Sequence, residues 1–300
     1  MDINGFMPQG KPSTRSLLSI KDLSQEDIFE ILHLTRQLQT KVKFKEQVEK
    51  LNGQNVLFIG KNSHGKTRIC FEIATRSLQA NPLVIPLKGS HIEDLLANDL
   101  TVKVISSFGL SAIVVDTEQE VDSEYISKNI SAPVINACDN EGPIQILSAL
   151  FTVWERFGRL ANLKVAVCGS VNEKDLAVCA GFAKCGLNLT IISPEEEAPN
   201  AETFNYLKQF TSISYTDELS SGIKNADVIY FTKTAFENYY LTEDLLLDNA
   251  PNAYFMHVVP LEREVQADNE VIDGKNSLVL KHGENTLNVL RSAIYLYSTK

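Results

Sequence analysis

No stretch of this sequence approaches the roughly 20 consecutive apolar residues that a membrane-spanning helix requires, so a helical bilayer protein is excluded on that reading. Positive charge is also scarce. The chain carries 28 Lys and Arg against 38 Asp and Glu, a net charge of −10. Its average field repels phosphate backbones and anionic lipid surfaces, which argues against nucleic acid or membrane as partners. A small anion is a different matter, because a few local cations and backbone N–H groups can hold one. Cysteine is sparse and unpaired: Cys70, Cys138, Cys168, Cys179 and Cys185 are odd in number. None shows the ligand spacing of a zinc site, so no metal is expected. They read as reduced, mostly buried thiols of a cytoplasmic protein. The first residues, MDINGFMPQGKPSTR, lack the apolar core of a secretory signal and read as a short flexible tail. Repeats with a period of 20–50 residues are absent, as are Pro- or Ser-rich linkers.

What is present is ordinary for a folded chain: 44% apolar and 22% charged residues over 300 positions, enough for two domains. Helical and strand patterns alternate almost throughout, the signature of parallel α/β architecture. Ser24 followed by Asp27 resembles a capping box, and Ile28, Ile31, Leu32, Leu34 and Leu38 continue with helical periodicity. Apolar strands are expected at 55–59, 83–86, 112–115 and 133–136. Helices are expected at 68–78 and 101–108, and a long one at 144–157. The alternation then restarts with strands at 164–168, 189–192, 213–215, 228–231 and 254–257, and helices at 174–185 and near 202–209. A last helix is expected over 285–297. Trp154 reads as core and Glu195–Glu197 as a solvated loop. The resulting expectation is two doubly wound parallel-sheet domains: 1–145, with the C-terminal helix 286–300 packing back on it, and 146–285.

The loop after the first strand carries the sharpest local signal. Gly60-Lys61-Asn62-Ser63-His64-Gly65-Lys66-Thr67 satisfies G-x-x-x-x-G-K-[ST] between a buried strand and a helix. Unpaired N–H groups at a helix entrance favour an anion, and Lys66 adds a point charge. Asp116, at the end of the third strand, stands where a Mg²⁺ ligand would be in a nucleotide-binding protein. Taken alone, the loop leaves nucleotide binding open.

Further motifs, in order, point elsewhere. They are His64-Gly65-Lys66-Thr67-Arg68 followed by Phe71-Glu72, Pro133-Val134-Ile135-Asn136-Ala137, Gly142-Pro143-Ile144-Gln145, Ala226-Asp227-Val228-Ile229-Tyr230, Met256-His257-Val258-Val259-Pro260 and Glu284-Asn285. Over residues 16–299 this series resembles the aspartate/ornithine carbamoyltransferase family. The resemblance implies transfer of a carbamoyl group from carbamoyl phosphate to an amino-acid amine. It implies no cofactor and a homotrimer with sites between subunits. By matching position, His64, Gly65, Lys66, Thr67 and Arg68 would hold the phosphate, and Lys66, Thr67 and Gln145 would serve catalysis. Lys233, His257 and Arg263 would meet the amino acid. The chain also departs from the family: HGKTR replaces S-T-R-T-R, GPIQ replaces H-P-x-Q, and Asp116 replaces an arginine. A carbonyl-polarising donor and a phosphate-binding cation are thereby lost, so a non-catalytic homologue stays open as an alternative. So does a nucleotide site at GKNSHGKT.

Overall fold

The computed structural model describes residues 2–46, 48, 51–60, 65–86, 99–117, 123–138, 142–170, 176–232, 236 and 238–298, the side chains of Asp99, Thr101 and Val102 aside. In chain order the helices are α1 Gln25–Lys43, α2 Gly65–Ser77, α3 Asp99–Ser106, α4 Ser123–Asn129, α5 Pro143–Phe157 and α6 Leu176–Lys184. They continue with α7 Ala201–Lys208, α8 Leu219–Gly222, α9 Glu243–Asn249, α10 Asn269–Ile272 and α11 Val279–Tyr297. The strands are β1 Asn55–Gly60, β2 Asn81–Pro86, β3 Leu110–Asp116, β4 Val134–Asn136, β5 Lys164–Cys168, β6 Asn188–Ile192, β7 Ile213–Thr216, β8 Val228–Phe231 and β9 Tyr254–His257. Two compact α/β units result. One comprises Phe6–Ser148 and Thr286–Lys300, the other Met1–Gly5 and Ala149–Asn285.

The first of these units holds a parallel sheet in the order β2-β1-β3-β4. Leu57, Ile59, Ile113 and Val115 are buried in it, as expected of strands covered on both faces. Leu17 adds a bridge beside Ile135, its N–H donating to the Val134 carbonyl at 2.8 Å. Strand order reverses between β1 and β3, so their C-terminal ends flank the crevice where open α/β sheets take ligands. The other unit repeats the plan with five parallel strands, β7-β6-β5-β8-β9, and its reversal lies between β5 and β8. Strands read from apolar runs alone were found where expected: β5, β8 and β9 match residue for residue.

Three expectations need correction. The N-terminal residues are not a flexible tail. Ile3 is 1% exposed, and Asn4 donates to the Gly158 carbonyl at 2.8 Å and accepts from the Trp154 indole at 3.2 Å, all within one unit. In the other unit, buried Glu30 accepts the N–H groups of Gln9 and Gly10 at 2.7 and 2.8 Å, and buried Asp27 those of Ser13 and Ser24. A polar segment is ordered here by giving its backbone donors to carboxylates that need them. Next, the last helix starts at Val279 rather than 285. Gly283 looks like a stop and costs about 1 kcal/mol in a helix, but Leu278, Val279 and His282 are buried by continuing the turn. Glu195–Glu197, finally, is a 3-10 turn in which Glu195 and Glu196 are solvated as expected, but half-buried Glu197 accepts a 2.7 Å bond from the buried Ser170 hydroxyl.

Candidate functional site

In the first unit, β1 delivers the chain to its C-terminal edge at Gly60, in register with Asp116 of β3. A Cβ at Gly60 would stand 2.4 Å from the Phe58 ring, so only glycine lets the strand end here. Phe58 also packs on Phe71 of α2, centroids 5.1 Å apart, which seats the helix on the sheet. The helix begins at Gly65, placing the entrance of α2 beside the strand reversal. Of the residues expected at this entrance, Thr67 is 1% exposed, Lys66 is half-buried and Gly65 is exposed. His64 lies outside the described residues. Arg68 is turned along the helix to Glu72, with Nε 3.1 Å from Oε1, in a half-exposed i,i+4 pair. Asp116, in register with Gly60, is fully buried.

The other wall of the crevice is β4 and the segment after it. Asn136 fixes the turn, its amide donating to the Leu18 carbonyl at 3.1 Å and its Oδ1 accepting the Cys138 N–H at 3.0 Å. The Gly142 N–H then donates to the Cys138 carbonyl at 3.1 Å, and α5 begins with Gln145 N–H bonded to the Gly142 carbonyl at 3.0 Å. A Cβ at Gly142 would lie 2.5 Å from that Cys138 oxygen and 2.8 Å from the Cys138 nitrogen. The backbone has closed into the space a side chain would occupy. Gln145 is 3% exposed, and its Oε1 is 3.5 Å from the Thr286 hydroxyl.

In the second unit, β8 ends just before Thr232 and β9 ends at His257. His257 is 3% exposed, with Nδ1 2.6 Å from the Val258 carbonyl and Nε2 2.8 Å from Gln266 Oε1. The same Gln266 donates its amide to the Thr232 carbonyl at 3.0 Å, bracing the ends of β8 and β9 together. Thr232 is 2% exposed, and its hydroxyl has no hydrogen-bond partner among the described residues. His257 is therefore a bonded core histidine, not one open to solvent. Arg263 is committed to Asp273 by two bonds of 2.7 and 2.9 Å, and also donates to Asn269 at 2.7 Å. Hydrogen bonding within this exposed pair holds the Asp273 carboxyl below its ordinary range and raises the guanidinium. The pair borders a cavity of about 600 Å³ lined by Val259, Pro260, Leu261 and Leu280. Lys233 lies outside the described residues. Gln266 and Ser170 were not foreseen. Neither belongs to a local pattern, and only the strand reversal between β5 and β8 points to their neighbourhood.

The arrangement is two sheet edges bearing polar groups at a strand reversal, one of them with an amide-bearing helix entrance and a lysine suited to an anion. Among the described residues no group of His, Cys, Asp or Glu could hold a metal ion, and no helix is long and apolar enough to cross a membrane. Comparison with known proteins gives this pattern a context. Residues 15–155 match the aspartate/ornithine carbamoyltransferase carbamoyl-P binding domain, and residues 161–297 match the Asp/Orn binding domain. The ornithine carbamoyltransferase of Bacillus subtilis is 31% identical over 301 residues, covering 93% of this chain and 92% of that protein. The aspartate carbamoyltransferase catalytic subunit of Caldicellulosiruptor bescii is 27% identical, covering 95% and 98%. The solved ornithine carbamoyltransferase of Pyrococcus furiosus superposes with a TM-score of 0.84 at 26% identity, covering 94% of this chain and 96% of that one.

Proposed function

Because this chain belongs to the aspartate/ornithine carbamoyltransferase family, we propose that it binds carbamoyl phosphate at the entrance of α2 and passes the carbamoyl group to an amino-acid amine. The observation that carries this reading is the entrance itself. Lys66 and buried Thr67 open a helix whose first N–H groups have no intrahelical acceptor, beside the strand reversal. In the reaction the amine attacks the carbonyl carbon, a tetrahedral oxyanion forms, and phosphate leaves with the bonding pair of the C–O bond. The amine gives up a proton. Lys66, Thr67 and the helix N–H groups hold the leaving phosphate, and Gln145 supplies a donor to the carbonyl oxygen. No cofactor or metal takes part in this scheme. The amino acid is met from the Thr232–His257–Gln266 edge, with Arg263 and, by the family resemblance, Lys233 as the cations assigned to it.

The departures set the rate. Relative to the family's H-P-x-Q segment, one carbonyl donor is replaced by Gly142, and each lost oxyanion donor typically lowers rate on the order of 10²–10³-fold. The buried carboxylate of Asp116 in place of an arginine opposes the phosphate further. The space closed at Gly142 favours a second reading, a homologue that binds the ligand without turning it over. A homotrimer in the cytoplasm accompanies both readings. It is supported by apolar side chains left exposed at helical spacing in the first unit: Ile69 (60%) and Ile73 (47%) on α2, Leu100 (70%) and Val104 (46%) on α3.

Calorimetric titration separates the readings. Carbamoyl phosphate binding with formation of citrulline or carbamoylaspartate supports transfer, and binding without turnover of any amine supports the second reading. Binding of ATP·Mg²⁺ with none of carbamoyl phosphate would refute both in favour of a nucleotide site. Light scattering tests the trimer.

A further inference from the structure

In the second unit part of one sheet face reaches the surface: Lys164 and Ser214 are exposed, Asn188 and Thr190 half-buried. Lys164 pairs with Asn188, Ala166 with Thr190, and Thr190 with Ser214, in parallel register. Because side chains alternate along each strand, Lys164, Asn188, Thr190, Ser212 and Ser214 share one face at the N-terminal end of β5, β6 and β7. Toward the other end of the strands the same face carries Cys168 and Ile192, buried beneath Leu219 and Ile223. That cover is one turn long. A Cβ on Gly222 would stand 2.5 Å from Ile192 Cδ1, so α8 presses directly on Ile192 and ends there. Beyond it lies a cavity of about 340 Å³ that Lys224 also lines.

A helix laid over this area would require apolar side chains beneath it. Instead the Thr190 and Ser214 hydroxyls bond each other at 3.0 Å. No carboxylate lines the cavity. Neither lysine's ammonium has a carboxylate partner among the described residues. The neighbouring carboxylate of Asp227 accepts the backbone N–H of Lys164 at 2.8 Å. Two uncompensated ammonium groups around a hydroxyl-lined hollow are unexpected in a chain of net charge −10. The volume is at the lower end for small-molecule sites.

The geometry points to a binding site here for a small phosphorylated metabolite, held by Lys164 and Lys224, with the Ser212 hydroxyl and one hydroxyl of the mutually bonded Thr190–Ser214 pair donating to its oxygens. It lies at the opposite end of the strands from Thr232 and His257, so its occupant is an effector and not a reactant. It does not depend on the reading of the α2 entrance.

The test is calorimetric titration of pyrophosphate into the full chain carrying Lys66→Ala, which removes the cation of that entrance. One site per chain is expected, weakening as salt is added. Lys164→Ala with Lys224→Ala should lower its affinity roughly tenfold or more, as for two exposed charge contacts. Ser214→Phe should do the same by filling the hollow while both lysines remain. Both lysines are exposed, so these variants should keep the parent thermal midpoint. Absence of binding in the Lys66→Ala chain, or affinity unchanged by the two lysine substitutions, overturns the proposal. Comparing Lys66→Ala with the unaltered chain tests the α2 entrance separately.

Discussion

Replacing Gly142 by alanine should destabilise the chain far more than a one-carbon change at a turn normally does. The added Cβ would sit 2.5 Å from the Cys138 oxygen, 2.8 Å from its nitrogen and 3.2 Å from the Ala137 carbonyl carbon, all well inside van der Waals contact. These are backbone atoms, so no side-chain rotation relieves the overlap. Overpacking of this kind typically costs about 1–3 kcal/mol. Moving Cys138 away breaks the 3.1 Å bond from Gly142 N–H to its carbonyl, worth roughly 1 kcal/mol more. The expected loss is thus about 2–4 kcal/mol, a fall in melting temperature of roughly 5–12 °C for a unit of this size. Scanning calorimetry of the two proteins measures it, with urea midpoints as a second determination. A midpoint within about 1 °C of the parent would refute the reasoning, because the loop would then have slack that the distances deny. The same overlap predicts that Gly142→His restores no donor to the site and lowers activity and stability together.

Three further outcomes follow from the geometry. Lys66→Ala should weaken carbamoyl phosphate binding by about tenfold or more, read by calorimetry, since one full charge leaves the α2 entrance. An unchanged affinity would remove Lys66 from the site. Gln266→Leu should cost about 1–3 kcal/mol in urea denaturation by removing its hydrogen bonds to the Thr232 carbonyl and His257 Nε2. Equal stability would show that the brace between β8 and β9 is not formed. For Asp27, burial alone would raise its pKa, but hydrogen bonds from Ser13 and Ser24 outweigh burial and lower it from 3.8. A depressed carboxyl contributes stability that is present above its unfolded pKa and lost as pH falls through the folded value. The urea midpoint should therefore decline as pH is lowered from about 5 into the acid range. Asp27→Asn should flatten that decline; the parent's slope in Asp27→Asn would contradict it.

How much of this was legible beforehand follows the physics of each element. Strands such as Val-Ala-Val-Cys and Val-Ile-Tyr-Phe are buried on both faces, so a continuous apolar run betrays them and their bounds. The Ser24–Asp27 capping box was equally local. Features that failed to show depend on partners distant in sequence. Whether Gly283 ends a helix is decided by what Leu278 and Val279 bury against. The crowding at Gly142 exists only once the turn from Cys138 has closed. Gln266 matters because folding brings it between Thr232 and His257, and Glu197 because it reaches Ser170. The hydroxyl ladder of Thr190 and Ser214 was invisible for the same reason: alternation within one strand does not disclose that the overlying turn stops at Gly222.

The grip of Asp27 and Glu30 on residues 9–13 has a bearing on when structure first appears. Its hydrogen bonds join residues 14 to 21 positions apart, and closing so short a loop sacrifices little chain entropy. Everything the grip needs has been synthesised once Lys43 leaves the ribosome, long before either sheet has its strands. Residues 9–13 can therefore be fastened to α1 while translation continues.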